Sequence, residues 1–89
     1  MKSRTTGRFR KALAQLPERI RRQAREAYRL FAKDPYHQSL RFRQVHPTKP
    51  IYSVRIGIDY RALGIRDGDE IIWFWIGSHE DYDKLISQL

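Results

Sequence analysis

Ile71-Ile72-Trp73-Phe74-Trp75-Ile76-Gly77-Ser78-His79-Glu80-Asp81-Tyr82-Asp83 is an apolar run that stops on a glycine and passes straight into titratable side chains. The run is apolar on both faces, which marks an interior strand covered from both sides. Ser78 and Asp81 stand in the Ser-x-x-acid spacing of a helix start, and Glu80 and Asp81 suit a helix N-terminus. A short helix to about Leu89, burying Leu85 and Ile86, then closes the chain. A strand that ends this way holds His79 and Tyr82 fixed in space, and such positions are more often sites than solvated surface.

Upstream the pattern is also two-fold. Asp67-Gly68-Asp69 is a hairpin signal between this strand and the one from Tyr60 to Arg66. Tyr52, Val54 and Ile56 alternate with Ser53 and Arg55 in the strand before it. Leu40 and Phe42 alternate with Arg41 and Arg43, which predicts a further strand, and His46 to Pro50 is a loop. Before Asp34-Pro35 the period becomes helical. Phe9, Ala12, Leu13 and Leu16 make one apolar stripe. Pro17 starts a second helix whose stripe is Ile20, Ala24, Ala27, Tyr28 and Phe31, with Arg19, Arg21, Arg22, Arg25 and Arg29 over the remaining surface. Lys2 to Thr5 have the composition of a short edge strand. The expected fold is α+β in one domain spanning residues 1–89. Two antiparallel N-terminal helices pack on a mainly antiparallel sheet of four to five strands, followed by a short C-terminal helix.

The bulk numbers fit that size. With 89 residues, 40% hydrophobic and 31% charged, the chain closes one modest core. No apolar run approaches a membrane span, and the first residues lack the apolar stretch of a secretory signal. The absence of cysteine excludes disulfides and thiolate metal sites and fits a cytoplasmic location. His37, His46 and His79 have no ligand spacing, so no metal and no cofactor is expected. The net charge of +8 is uneven: residues 1–33 carry eleven Lys/Arg against Glu18 and Glu26, a net of +9, and the remainder sums to −1. Such a field either solvates a helix surface or attracts a polyanion, meaning nucleic acid or an acidic protein segment. Arg21, Arg22 and Arg25, with Arg41 and Arg43, are the expected contacts to RNA or an acidic partner.

The strand pairing has a geometric consequence. A three-residue turn between Ile56 and Tyr60 sets Val54 opposite Ala62 and Arg55 opposite Arg61. Like charges directly opposite destabilise a plain sheet. An anion between the two guanidinium forks removes the conflict; otherwise they splay into water or pair with Asp59, Glu80 or Asp81. At the next hairpin, a three-residue loop with Gly68 left-handed keeps odd residues facing odd and places His79 beside both arginines. A strict two-residue turn shifts the parity. The first arrangement is the expected one.

A histidine beside two arginines suits RNA cleavage in which the RNA's own 2′-OH attacks the neighbouring phosphate. His79 serves as acid or base. Arg55 and Arg61 stabilise charge on the transferring phosphate. Tyr82, one turn on, stacks on a base or relays a proton. Taken singly, His79 is more often a cap or core residue, and Tyr82 a packing residue; only the constellation points to a site.

These residues also carry a resemblance. The order helix, helix, Tyr52-x-Val-Arg-Ile, Tyr60-Arg61-Ala-Leu, Asp-Gly-Asp-Glu-Ile-Ile and Ile76-Gly77-Ser78-His79-x-x-Tyr82-Asp83 resembles the RelE/ParE toxin superfamily, from about Phe9 onward. The ending is most similar to the HigB-like branch, whose junction reads Gly-(Thr/Ser)-His-x-x-Tyr-Asp. The resemblance implies a compact α+β toxin of a type II toxin–antitoxin system, a ribosome-dependent mRNA endonuclease that needs no metal, and a cognate antitoxin that wraps it. Arg61 matches the arginine of the family's Tyr-Arg strand motif, and Arg55 a basic position on the preceding strand. His79 matches the basic or histidine residue after the glycine, and Tyr82 the final tyrosine. Ser53 departs from the pattern, standing where RelE carries a lysine. A ParE-like gyrase inhibitor and an inactive RNA- or antitoxin-binding relative are the alternatives on the same fold.

Overall fold

A computed structural model describes all of residues 1–89. Along the chain run β1 (Lys2–Thr5), α1 (Gly7–Ala14), α2 (Glu18–Lys33), a 3-10 turn (Gln38–Leu40), β2 (Arg43–Gln44), β3 (Ile51–Ile56), β4 (Tyr60–Asp67), β5 (Glu70–Ser78) and α3 (His79–Ile86). The strands form one sheet in the order β1-β5-β4-β3-β2. β1 is parallel to β5, and the other neighbours are antiparallel. This is the α+β architecture expected, with the apolar β5 inside the sheet. No helix is long and apolar enough to cross a membrane.

Local chemistry sets the helix ends. Thr6 caps α1, its hydroxyl accepting the Phe9 N–H at 3.0 Å. Pro17 stands at the N-cap of α2 rather than inside it. Ser78 caps α3 through the Asp81 N–H at 3.1 Å, as the Ser-x-x-acid spacing requires. Each face of the sheet is covered by different helices. Phe9, Ala24 and Phe31 of α1 and α2 pack with Val54, Ile56, Ala62, Trp73 and Ile76. Tyr82, Leu85 and Ile86 of α3 pack with Ile51, Leu63, Phe74 and Trp75 on the opposite face.

Two expectations need correction. Residues 40–43 are not a continuous strand. Leu40 closes the 3-10 turn, Arg41 is left-handed with φ 47°, and only Arg43 and Gln44 pair, with Ser53 and Tyr52. Leu40 is nevertheless buried, so the apolar–basic alternation reflects a turn whose side chains happen to divide between core and solvent. The second correction concerns the β4–β5 hairpin. Asp67 pairs with Glu70, so the loop holds only Gly68 and Asp69, with Gly68 at φ 61°. A positive φ at the first central position is the arrangement of a II′ turn, whose twist matches its strands. Near the turn odd residues therefore face even ones, as with Gly64 opposite Trp73.

A bulge then restores the expected parity. Leu63 pairs with Trp75 while Gly64 pairs with Trp73, leaving Phe74 as the extra residue on β5. Beyond it Arg61 faces Gly77. The extra residue also explains how one strand serves two cores. Ile71, Trp73 and Ile76 join the α1–α2 side, and the consecutive Phe74 and Trp75 join the α3 side.

Gly64 sits at this irregularity without room for a side chain. A Cβ there would lie 2.7 Å from Trp73 Cε3 and 2.8 Å from Ile71 Cγ1, both deep in the core. Gly64→Ala is therefore expected to destabilise the fold by about 1–3 kcal/mol, the usual cost of overpacking. Urea denaturation should show the lowered midpoint with an unchanged m-value.

Candidate active site

The register of β3 and β4 is the one the three-residue turn requires: Val54 faces Ala62, Ile56 faces Tyr60, and Arg55 faces Arg61. Neither arginine takes a carboxylate. Arg55 Nε donates to the Gly57 carbonyl at 2.9 Å. Arg61 Nη1 donates to the Tyr60 carbonyl at 2.8 Å and more weakly to the Ile58 carbonyl at 3.4 Å. Partial burial holds the Arg61 pKa below its ordinary value; Arg55 and, less strongly, Arg41 add to the depression against opposing contributions from Tyr82 and Asp83. The side chain stays charged, and a bound anion would offset both the desolvation and the repulsion from Arg55.

His79 is brought to the same place by the backbone. Its N–H donates to the Asp59 carbonyl at 2.6 Å, tying the first residue of α3 to the β3–β4 turn. Its ring is half exposed, and Nε2 lies 3.3 Å from Asp83 Oδ2, one turn along the helix. That carboxylate can orient the imidazole. Tyr82 is only 4% exposed. Its hydroxyl donates to Ser53 Oγ at 3.2 Å, which satisfies the one buried polar side chain on β3. With its ring sealed in the α3 core, Tyr82 offers no face to a nucleobase. Of the two roles expected for it, only the one based on the hydroxyl fits this placement.

Together Arg41, Arg43, Arg55, Arg61, His79, Ser53, Tyr82, Phe42 and Asp83 line one cleft of about 590 Å³. Four guanidiniums share the cleft with a single carboxylate, so its charge and donor geometry suit an anion. Arg41 and Arg43, expected only as general RNA or antitoxin contacts, belong to this lining. Asp83 escaped the sequence reading, although its place four residues after His79 is the signal that finds it. Ser53 was noted as a departure, not as the partner of Tyr82. A smaller cavity of about 250 Å³, between α1, α2 and the sheet, is lined mainly by Phe9, Leu13, Phe31, Trp73 and other apolar groups. Thr5, Arg10 and Arg25 are its only polar lining, so it is mainly an apolar cavity.

Arg21, Arg22 and Arg25 do not join the cleft. They lie on α2, which packs on the other face of the sheet. Arg21 donates to the Leu16 carbonyl, Arg22 pairs with Glu18 at 3.6 Å, and Arg25 borders the apolar cavity. No group of three or more His, Asp or Glu side chains converges as a metal site.

This fold and cleft are those of a small basic toxin domain. A family model described as a ParE-like toxin domain matches residues 18–84, and the chain belongs to that family, within the RelE/ParE superfamily. The RelE of the RelB–RelE antitoxin–toxin complex from Methanococcus jannaschii superposes with a TM-score of 0.73 at 18% identity, over 92% of this chain and 96% of that one. YafQ from Escherichia coli BL21(DE3) gives 0.72 at 10% identity, over 91% and 96%. Isolated E. coli RelE gives 0.63 at 15% identity, over 98% and 96%. No curated protein matches the sequence.

The unneutralised arginines generate a direct prediction. Inorganic phosphate at about ten times its Kd adds about 1.4 kcal/mol to a folded state that binds it, or roughly 5–10 °C in Tm for a domain of this size. Arg61→Ala should abolish most of that gain, whereas Arg22→Ala, on the opposite face, should keep it. Differential scanning calorimetry with and without phosphate reads the difference.

Proposed function

We propose that this protein is the toxin of a toxin–antitoxin pair and acts as a ribosome-dependent mRNA endonuclease. The observation that carries the reading is the Arg55–Arg61 pair, opposed across two strands, without a carboxylate and beside His79. A phosphodiester in the cleft would take both guanidinium forks. The 2′-oxygen of the substrate then forms a bond to phosphorus as its proton leaves, and the bond from phosphorus to the 5′-oxygen breaks as that oxygen gains a proton. The products are a 2′,3′-cyclic phosphate and a 5′-hydroxyl. His79, oriented by Asp83, carries one of the two proton transfers. Arg61 and Arg55 stabilise the extra charge on the pentacoordinate phosphorus. The hydroxyl of Tyr82, held by Ser53, supports the arrangement from below. No step requires a cofactor, and the proposed site of action is the cytoplasm, where ribosomes and mRNA meet.

The ParE-like family match favours a second reading, inhibition of DNA gyrase without nuclease chemistry. The two separate on induced expression: mapping of mRNA 5′ ends detects cleavage, whereas intact mRNA with arrested replication supports the gyrase target. The proposed partners are mRNA, the ribosome and a cognate antitoxin. The neighbouring RelE structures that contain RelB support the last.

Single-turnover cleavage on programmed ribosomes tests the roles. Arg61→Ala should slow the reaction by roughly 10²-fold or more, the cost of one lost transition-state donor. His79→Ala should slow it by roughly 10²–10⁴-fold and remove the pH dependence that an imidazole imposes. A His79→Ala enzyme with the wild-type rate and profile would reduce the histidine to a helix-start residue.

The arginines of α2 have a separate expected role. Placed across the sheet from the cleft, Arg21, Arg22 and Arg25 can contact the ribosome or an acidic antitoxin while leaving the reacting phosphate to others. Reversing their charge should weaken ribosome association, most visibly at low salt, with an unchanged rate for substrate already bound. Co-sedimentation across a salt series measures the first effect and single-turnover cleavage the second.

A further inference from the structure

Tyr36 is the most exposed aromatic side chain, at 64%. It is not a loose surface residue. Its N–H donates to Asp34 Oδ1 at 3.1 Å, which fixes the turn after α2. Its ring sits 5.7 Å from that of Phe42, and its hydroxyl accepts from Arg66 Nη1 at 3.1 Å. Phe42 in turn stacks on Tyr52 at 5.0 Å and meets Phe31 edge-on at 4.9 Å, which anchors the group in the core. Arg66 lies over the Tyr52 ring, 5.4 Å from its centroid, and Arg66 Nε donates to the Gly68 carbonyl at 3.2 Å. None of these Arg66 partners is an acid. The result is an aromatic surface backed by the core and edged by a cation without a carboxylate.

This surface is continuous with the cleft. Phe42 lines the cleft between Arg41 and Arg43 and also contacts Tyr36. A strand of nucleic acid leaving the Arg55–Arg61 site past Phe42 at the β2 edge would turn onto the α1–α2 side of the sheet, where Phe42 contacts Tyr36 and stacks on Tyr52 beneath Arg66. A rigid aromatic face with an adjoining guanidinium is the combination that holds one unpaired base and its phosphate.

We propose that Tyr36, supported by Phe42 and edged by Arg66, is a stacking platform for a base of single-stranded RNA flanking the cleaved position. The inference rests on the RNA-cleaving reading above and extends it to a second subsite. Stacking tolerates any base, so the platform adds affinity without dictating sequence. It also excludes duplex RNA, whose bases are already stacked on one another.

Equilibrium binding of an uncleavable 2′-O-methyl RNA hexamer tests it, beside an abasic hexamer that carries the same phosphates. Tyr36→Ala should weaken binding of the base-bearing hexamer by roughly 5–100-fold, the range for one lost base–aromatic stack. Tyr36→Trp should restore it, and the abasic hexamer should bind both variants alike. Tyr36 is exposed, and circular dichroism checks that the alanine variant keeps the fold. The platform is overturned by an unchanged affinity in Tyr36→Ala, by equal losses on both oligomers, or by a wild-type protein that does not distinguish them. It is equally overturned by a loss confined to antitoxin binding. Because no cleavage is needed, the two proposals fail separately: base-dependent binding through Tyr36 without mRNA cutting removes the nuclease reading alone, and His79-dependent cutting with an inert Tyr36 removes the platform alone.

Discussion

One extra residue in the interior strand β5 governs the architecture. Phe74 has no partner on β4, and the step it introduces changes which side chains of β5 point to which layer. Before the bulge, Ile71 and Trp73 serve the core beneath α1 and α2. After it, Ile76 returns to that core, while Phe74 and Trp75 turn together toward α3. Without that step a strict two-residue turn would run its parity to the end of the hairpin. Arg61 would then face Ile76 rather than Gly77. The bulge therefore lets a tight hairpin at one end coexist with an arginine cleft at the other.

The cleft itself is built against the preferences of a sheet. Arg55 and Arg61 oppose each other, Arg61 is partly desolvated, and both guanidiniums settle on carbonyl groups of their own turn. Their surroundings supply stiffness in place of charge compensation: the β3–β4 turn is tied to α3 through Asp59 and His79, and the floor is locked by the Tyr82–Ser53 bond. A site that is repulsive when empty and rigid in outline is preorganised for an anion, because little reorganisation is needed when the anion arrives.

The two faces of the sheet divide the remaining basic charge. The arginines of α2 surround a helix that covers the larger core, whereas those of residues 41–61 surround the cleft next to α3. A partner that covered only one face would leave the other charged. This separation is the physical basis for the distinct recruitment and cleavage roles proposed above.

Periodicity and caps were enough to read most of this fold. The stripes of α1 and α2, the doubly apolar β5, the Ser78 cap and the three-residue β3–β4 turn all arise from contacts close in sequence, and the Arg55–Arg61 opposition follows from that turn by counting. Three features required the folded molecule. Arg41 adopts a left-handed conformation because the 3-10 turn before it must bury Leu40, a demand made by the core and not by its neighbours in the chain. Tyr82 became a buried hydroxyl donor because Ser53, twenty-nine residues away, supplies its acceptor. The hairpin parity was set by a bulge beside Gly64, where Trp73 and Ile71 leave no room for a side chain. Local sequence thus determined the elements and the residues able to act, and long-range packing decided which of them meet, since side chains distant along the chain become neighbours only when the layers close.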